Sequence, residues 1–141
     1  MMALFITNLC AQGMLNNQGL AQQLGANAVL RIYSGTVPAN ADAALTGTLL
    51  AELVLSASPF SGFSDTGSAA RATLAAVASD TSANNTGGAT TWRLDTAGGV
   101  TKMQGECGLS GSGKELILAT TSFTAGSTVS VSSGYFDFPE G

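Results

Sequence analysis

Histidine is absent from this chain of 141 residues, and with it every mechanism that needs an imidazole. A Ser-His-Asp or Cys-His nucleophile, His-ligated zinc and a two-histidine, one-carboxylate iron site are all excluded. Charge is scarce: five Lys and Arg and nine Asp and Glu make up 10% of the residues, against roughly 25% in an ordinary soluble domain. The basic residues stand singly and the net charge is −4, so the chain lacks the Lys/Arg clusters that displace counterions from nucleic acid. No apolar run approaches the ~18 residues of a membrane span. The opening MMALFITNLCAQGML has no basic start, and Thr7 and Asn8 break its apolar stretch, which makes a poor secretory signal. Cys10 and Cys107 lie far apart without C-x-x-C spacing and read as two buried thiols rather than a disulfide or a reactive pair. The expectation is a non-enzymatic protein made in the cytoplasm, with no cofactor, no metal, and neither nucleic acid nor membrane as a partner.

What is present points to a β-protein. Ala, Gly, Thr and Ser make up half the chain, yet 45% of residues are hydrophobic. A disordered chain would be poor in Val, Leu and Phe and rich in net charge, whereas here the apolar residues alternate. Exposed faces carrying Thr and Ser instead of Lys and Glu suit a surface packed against other subunits, because sparse charge means little desolvation on assembly.

Along the chain, Ile6, Leu9/Cys10, Gly13/Met14, Leu20/Ala21 and Leu24 recur at helical spacing, which predicts one N-terminal helix through Leu24. Thr7 or Asn8 would cap it and Gly25 would end it. Its other face is amide-rich (Asn16, Asn17, Gln18, Gln22, Gln23) and uncharged, which suits either solvent or an intersubunit contact. From Ala28 the period becomes two. Leu30 and Ile32 share one face, and Leu49, Ala51, Leu53 and Leu55 point inward while Leu50, Glu52 and Val54 point outward. Between these strands lies a turn-rich loop, Gly35 to Gly47, and ASPFSGFSDTGS reads as another loop. ARATLAAVA, TTWRLDT and VTKMQGECGLS read as strands, the last two joined at Ala97 to Gly99. KELILATTSF and STVSVSSGYFDFP form a final pair with a bulge at Ser133-Gly134. The predicted fold is mainly β: an antiparallel β-sandwich, jelly-roll or Ig-like, of seven or eight strands over residues 28–141, preceded by a helical arm over 1–27.

Three motifs fail on their chemistry. GLSGSGKE (Gly108 to Glu115) matches a phosphate-binding loop up to its last position, but Glu115 stands where a magnesium-binding hydroxyl is required and no helix follows. A Gly/Ser hairpin is the better reading. The segment from Asp80 has oxygens at the first, third and fifth positions of a calcium loop, but Asn85 and Thr91 replace the required Gly and Glu; an Asx-turn explains it. SDTGSA at Ser64 and SDTSAN at Ser79 read as repeated turn chemistry, not duplication. Nothing in the spacing pairs two carboxylates for glycoside hydrolysis, and Trp92 reads as the central core residue.

Three segments taken together carry a resemblance: LRIYSGTVPANADAALTGTLLAELVLS (Leu30 to Ser56), SDTSANNTGGATTWRLDTAGG (Ser79 to Gly99) and STVSVSSGYFDF (Ser127 to Phe138). They resemble a family of small virion structural proteins of tailed bacteriophages, in which a short helix precedes an LRIYSGT-x-P strand and a VSVSS strand closes the chain. The resemblance implies a particle component without catalytic residues. Cys107 and the Gly/Ser segment near Gly111 depart from the pattern. The expected role is a decoration or cement protein on the outside of the capsid, a homo-oligomer bridging major capsid subunits in the virion. Expected contact residues are Leu9, Met14 and Leu20 on the helix and Val37, Pro38 and Leu45 in the loop. A tail, collar or head-fibre component, or a carbohydrate-binding surface module using Trp92, are the alternatives.

Overall fold

The computed structural model describes residues 4–16 and 18–139 and is mainly β. In chain order the elements are β1 (Phe5–Ile6), α1 (Asn8–Leu15), α2 (Leu20–Leu24), β2 (Val29–Tyr33), β3 (Leu49–Val54), β4 (Phe60–Asp65), β5 (Ala69–Leu74), β6 (Gly87–Gly88), β7 (Thr91–Asp95), β8 (Thr101–Gly108), β9 (Leu116–Leu118), β10 (Ser122–Phe123) and β11 (Val131–Pro139). The main sheet runs β3-β2-β7-β8-β9-β11-β5-β4, with β1 added on β8; β6 and β10 pair separately.

Neighbours in the sheet are antiparallel except β8 and β9, which pair in parallel over Cys107↔Leu116 and Gly108↔Ile117. The expected purely antiparallel sandwich is therefore corrected to a mixed sheet of two antiparallel four-stranded halves joined by a short parallel seam. The Gly/Ser segment between β8 and β9 is accordingly not a hairpin. Gly111 and Gly113, at φ 86° and 76°, supply the left-handed backbone with which the chain loops back to run alongside itself. The sheet curls strongly. Trp92 on β7 and Phe136 on β11 have ring centroids 4.9 Å apart, although three strand-to-strand steps would separate their backbones by about 14 Å in a flat sheet. The inner faces of the two halves thus share one core, with Leu30, Ile32, Leu94, Met103 and Leu116 fully buried around the Trp92–Phe136 contact.

The single predicted helix is two. Thr7 caps α1 by accepting from the Cys10 N–H at 3.2 Å, as the sequence suggests, but α1 ends at Leu15 and α2 starts afresh after Gly19. Gly25 ends α2 with the expected positive φ, 69°, but its ψ of −173° is extended rather than left-handed helical. Asn17 of the amide face lies outside the described residues. Cys10, Leu20 and Leu24 join the same core as the strands. Cys10 and Cys107 are buried free thiols, and burial pushes Cys107 up to about 12.

Three further differences share one cause, the bulge. Leu50 is buried rather than outward-facing because the β2–β3 register slips between Ile32 and Tyr33. The segment read as a loop after Ser58 forms β4, whose register slips between Phe60 and Gly62. In β11 the slip lies between Val131 and Ser133, slightly before the expected place. The paired Asp-Thr turns match expectation: Asp65 and Asp80 each accept the N–H of the residue two further on, Gly67 and Ser82.

Candidate interaction surface

The helices are placed by backbone contacts. Thr7 donates its N–H to the Lys102 carbonyl of β8 at 3.0 Å, and the Gln23 amide donates to the Cys10 carbonyl at 2.7 Å. Gly13 permits that close approach, since a Cβ there would lie 2.7 Å from Gln23 Oε1. α1 contains no charged residue, and the carboxylate at its positive end comes from elsewhere: Asp42, in the 35–47 loop, accepts the Asn8 N–H at 3.0 Å. Loop and helix are thereby tied together.

What this docking leaves outside is apolar. Leu9 is 66% exposed and Leu15 90%, alongside the exposed amides Gln12 and Asn16. Met14 faces a groove of about 230 Å³ between the helices and the β4–β5 edge, with Leu20, Ala72 and Phe138 among its walls. Phe63, 69% exposed, stands as a ridge between this groove and a second of about 300 Å³ lined by Ala21, Pro59 and Phe60. The one charge at the first groove is neutralised. Arg71 donates from Nε and Nη2 to both carboxylate oxygens of Asp137 at 2.7 and 2.9 Å and lies 4.8 Å from the Tyr135 ring centroid. Their mutual hydrogen bonds raise the Arg71 pKa and lower that of Asp137.

Among the expected contact residues, Leu9 is open to solvent and Met14 partly so, whereas Leu20 is buried and offers only the edge that lines the groove. Val37, Pro38 and Leu45 are half-buried rather than exposed, because their loop is strapped to the sheet. Arg93 donates to the Ala43 carbonyl, and the Gln104 amide donates to the Pro38 carbonyl at 3.0 Å. The structure joins the helix residues with Phe63, which sequence reasoning left in a loop.

Elsewhere, polar groups serve the fold. Arg31 bridges Glu52 and Asp95 at 2.9 and 2.6 Å across three strands. The Asp80 carboxylate is engaged by the N–H groups of Glu52 and Ser82. Trp92 is wholly buried, its Nε1 donating to the Glu106 carbonyl at 3.0 Å, so it offers no stacking platform for a sugar. Among the described residues no three His, Cys, Asp or Glu side chains converge as a metal site. Comparison with known proteins found no matching family model, curated protein or solved structure.

Proposed function

We propose that the protein is a structural component of a tailed-bacteriophage virion, a decoration or cement protein seated on the outside of the capsid. In this reading the two antiparallel halves act as the layers of a rigid sandwich, and the chain works by surface fit, bridging neighbouring major capsid subunits. The observation that carries the reading is the uncharged apolar surface of α1, where Leu9 and Leu15 lie open beside neutral amides. Such a surface associates at little desolvation cost. Its rigidity limits the entropy lost on binding, and many copies at symmetry-related positions sum weak contacts into a strong shell. The segment resembling the virion proteins supports the same reading: Leu30 to Thr36 forms the inner strand β2 and the start of the strapped loop that meets α1 through Asp42.

Purified protein added to expanded heads lacking it is expected to bind to saturation and to raise their resistance to heat and osmotic shock, while immature heads do not bind it. Heads that neither bind it nor change in resistance would overturn the cement role. Binding to isolated tails or collars instead would favour the alternative particle locations.

A further inference from the structure

The main sheet ends in β3 on one side and β4 on the other, and the chain treats these edges differently. The β3 edge is covered by residues 80–85. Asn84 donates its N–H to the Leu50 carbonyl at 2.8 Å, Asn85 Nδ2 donates to the Leu49 carbonyl at 2.8 Å, and the Glu52 N–H donates to Asp80. The same segment bonds onward to Ser127 and Val129, ahead of β11. The β4 edge has no such cover: among the described residues, no backbone or side-chain hydrogen bond reaches its outer side.

The register shows which groups are left open. Thr66 donates its N–H to the Ala69 carbonyl at 3.0 Å in the β4–β5 turn, so Thr66 and Ala69 form a hydrogen-bonded pair. Alternation along an antiparallel ladder then turns the N–H and C=O of Asp65 and Phe63 away from β5. Neither Lys nor Pro guards this edge, and its only charge is Asp65.

We infer that the open edge of β4 takes the β4 strand of a second copy, antiparallel across a two-fold axis, so that one sheet runs through both protomers. Unpaired donors and acceptors at strand spacing call for another extended strand. The strand is complementary to itself when Ser64 faces Ser64 of the second copy. Phe63 and Asp65 of each copy then exchange both backbone bonds, four in all by the alternation rule. In that register each Asp65 lies directly opposite a Phe63, and the two Asp65 carboxylates are diagonal neighbours at the exposed edge, so like charges do not sit directly opposite one another. Arg71, the β5 partner of Ser64, is already neutralised by Asp137. The two Phe63 rings become diagonal neighbours on the inner face and cover each other. The bulge at Ser61 limits the regular pairing to Gly62 through Asp65. The inference concerns the isolated protein and does not depend on where it sits in a particle.

The test uses the purified full chain. Sedimentation equilibrium is expected to show a reversible dimer, and hydrogen exchange to show the Phe63 and Asp65 amides protected as the dimer forms. Ser64→Cys, at the close non-hydrogen-bonded pair, is expected to form a disulfide-linked dimer under mild oxidant, whereas Ser132→Cys, exposed on β11, stays monomeric on a reducing-agent-free gel. Phe63→Glu, at a position 69% exposed in the single chain, sets a carboxylate opposite Asp65 of the second copy and is expected to weaken dimerisation by roughly tenfold or more. A chain that remains monomeric as concentration rises would overturn the inference. So would a dimer in which Ser64→Cys fails to cross-link and Phe63→Glu has no effect.

Discussion

Gln104 Oε1 accepts two hydrogen bonds from Arg93, from Nε at 2.9 Å and from Nη2 at 2.8 Å, so a neutral amide takes the place a carboxylate would usually hold beside a buried guanidinium. Burial lowers the Arg93 pKa, the nearby charges of Tyr33, Asp95 and Asp42 oppose that only in part, and among the described residues no carboxylate accepts a hydrogen bond from it. The same Gln104 holds the Pro38 carbonyl, and Arg93 holds that of Ala43. Two adjacent side chains on β7 and β8 thus fasten both limbs of the 35–47 loop.

Gln104→Leu removes the acceptor for Arg93 and the donor for Pro38 together. It is expected to cost about 2–3 kcal/mol, seen as a lower urea midpoint, and to speed proteolysis within residues 35–47. Unchanged loop proteolysis would show that the strap does not hold the loop.

Gly105 sits against the core side of Trp92. A Cβ there would fall 2.5 Å from the indole Cζ2 and closer still to Glu115 Oε1, and a packed ring cannot swing aside as a surface side chain does. Gly105→Ala is expected to destabilise the protein by about 1–3 kcal/mol and to perturb the fluorescence of Trp92, the only tryptophan. Phe136→Ala, which leaves a cavity beside that indole, is expected to cost about 3–5 kcal/mol. Denaturation curves followed by Trp92 emission measure both.

Glu115 is buried, with Oε1 accepting the Glu106 N–H at 3.3 Å and Oε2 without a partner among the described residues. Burial pushes its carboxyl up, hydrogen bonds from the Glu115 and Glu106 backbone oppose that in part, the Glu106 charge adds to the rise, and Lys114, paired to Glu106 at 2.9 Å, opposes it. A folded-state pKa above the unfolded value means that the folded protein holds the proton more tightly. Its contribution to stability is complete below the ordinary Glu range and is lost as pH rises through the raised value. The urea midpoint of the wild type is expected to fall across that window, while Glu115→Gln, which mimics the neutral acid, flattens the fall and is the more stable protein above it. Asp137, held low by Arg71, acts in the opposite sense: its contribution is present above the ordinary Asp range and is lost as pH falls through the lowered value. Both proteins carry it, so the comparison isolates Glu115. Parallel curves would contradict the assignment.

Leu9 and Leu15 are exposed and outside the core, so Leu9→Asp and Leu15→Asp are expected to leave stability within about 0.5 kcal/mol. Both are expected to weaken capsid association about tenfold or more in a co-sedimentation assay. Equal binding by these variants would move the capsid contact away from α1.

How much was legible in the sequence depended on whether a segment kept one period. Leu30 and Ile32 alternate cleanly and are fully buried, Trp92 lies at the centre, and Thr7 and Gly25 mark the helical stretch. The period failed at bulges. Phe60 and Phe63 stand three apart because β4 carries an extra residue between Phe60 and Gly62, so a strand with one buried and one exposed ring reads as a loop. Leu50 turns inward for the same reason. The parallel β8–β9 seam and the helix break after Leu15 depend on backbone turns and tertiary contacts that hydrophobic spacing does not encode. Of the exposed apolar residues, Leu9 and Met14 were legible from helical spacing, while Phe63 and the open β4 edge were hidden by the bulge.

A cryo-electron map of the intact phage particle tests the central claim most directly. The account predicts density for this fold at symmetry-related positions on the outer surface of the head, with α1 against the major capsid subunits. Complete particles with no density for this chain at any site would contradict it.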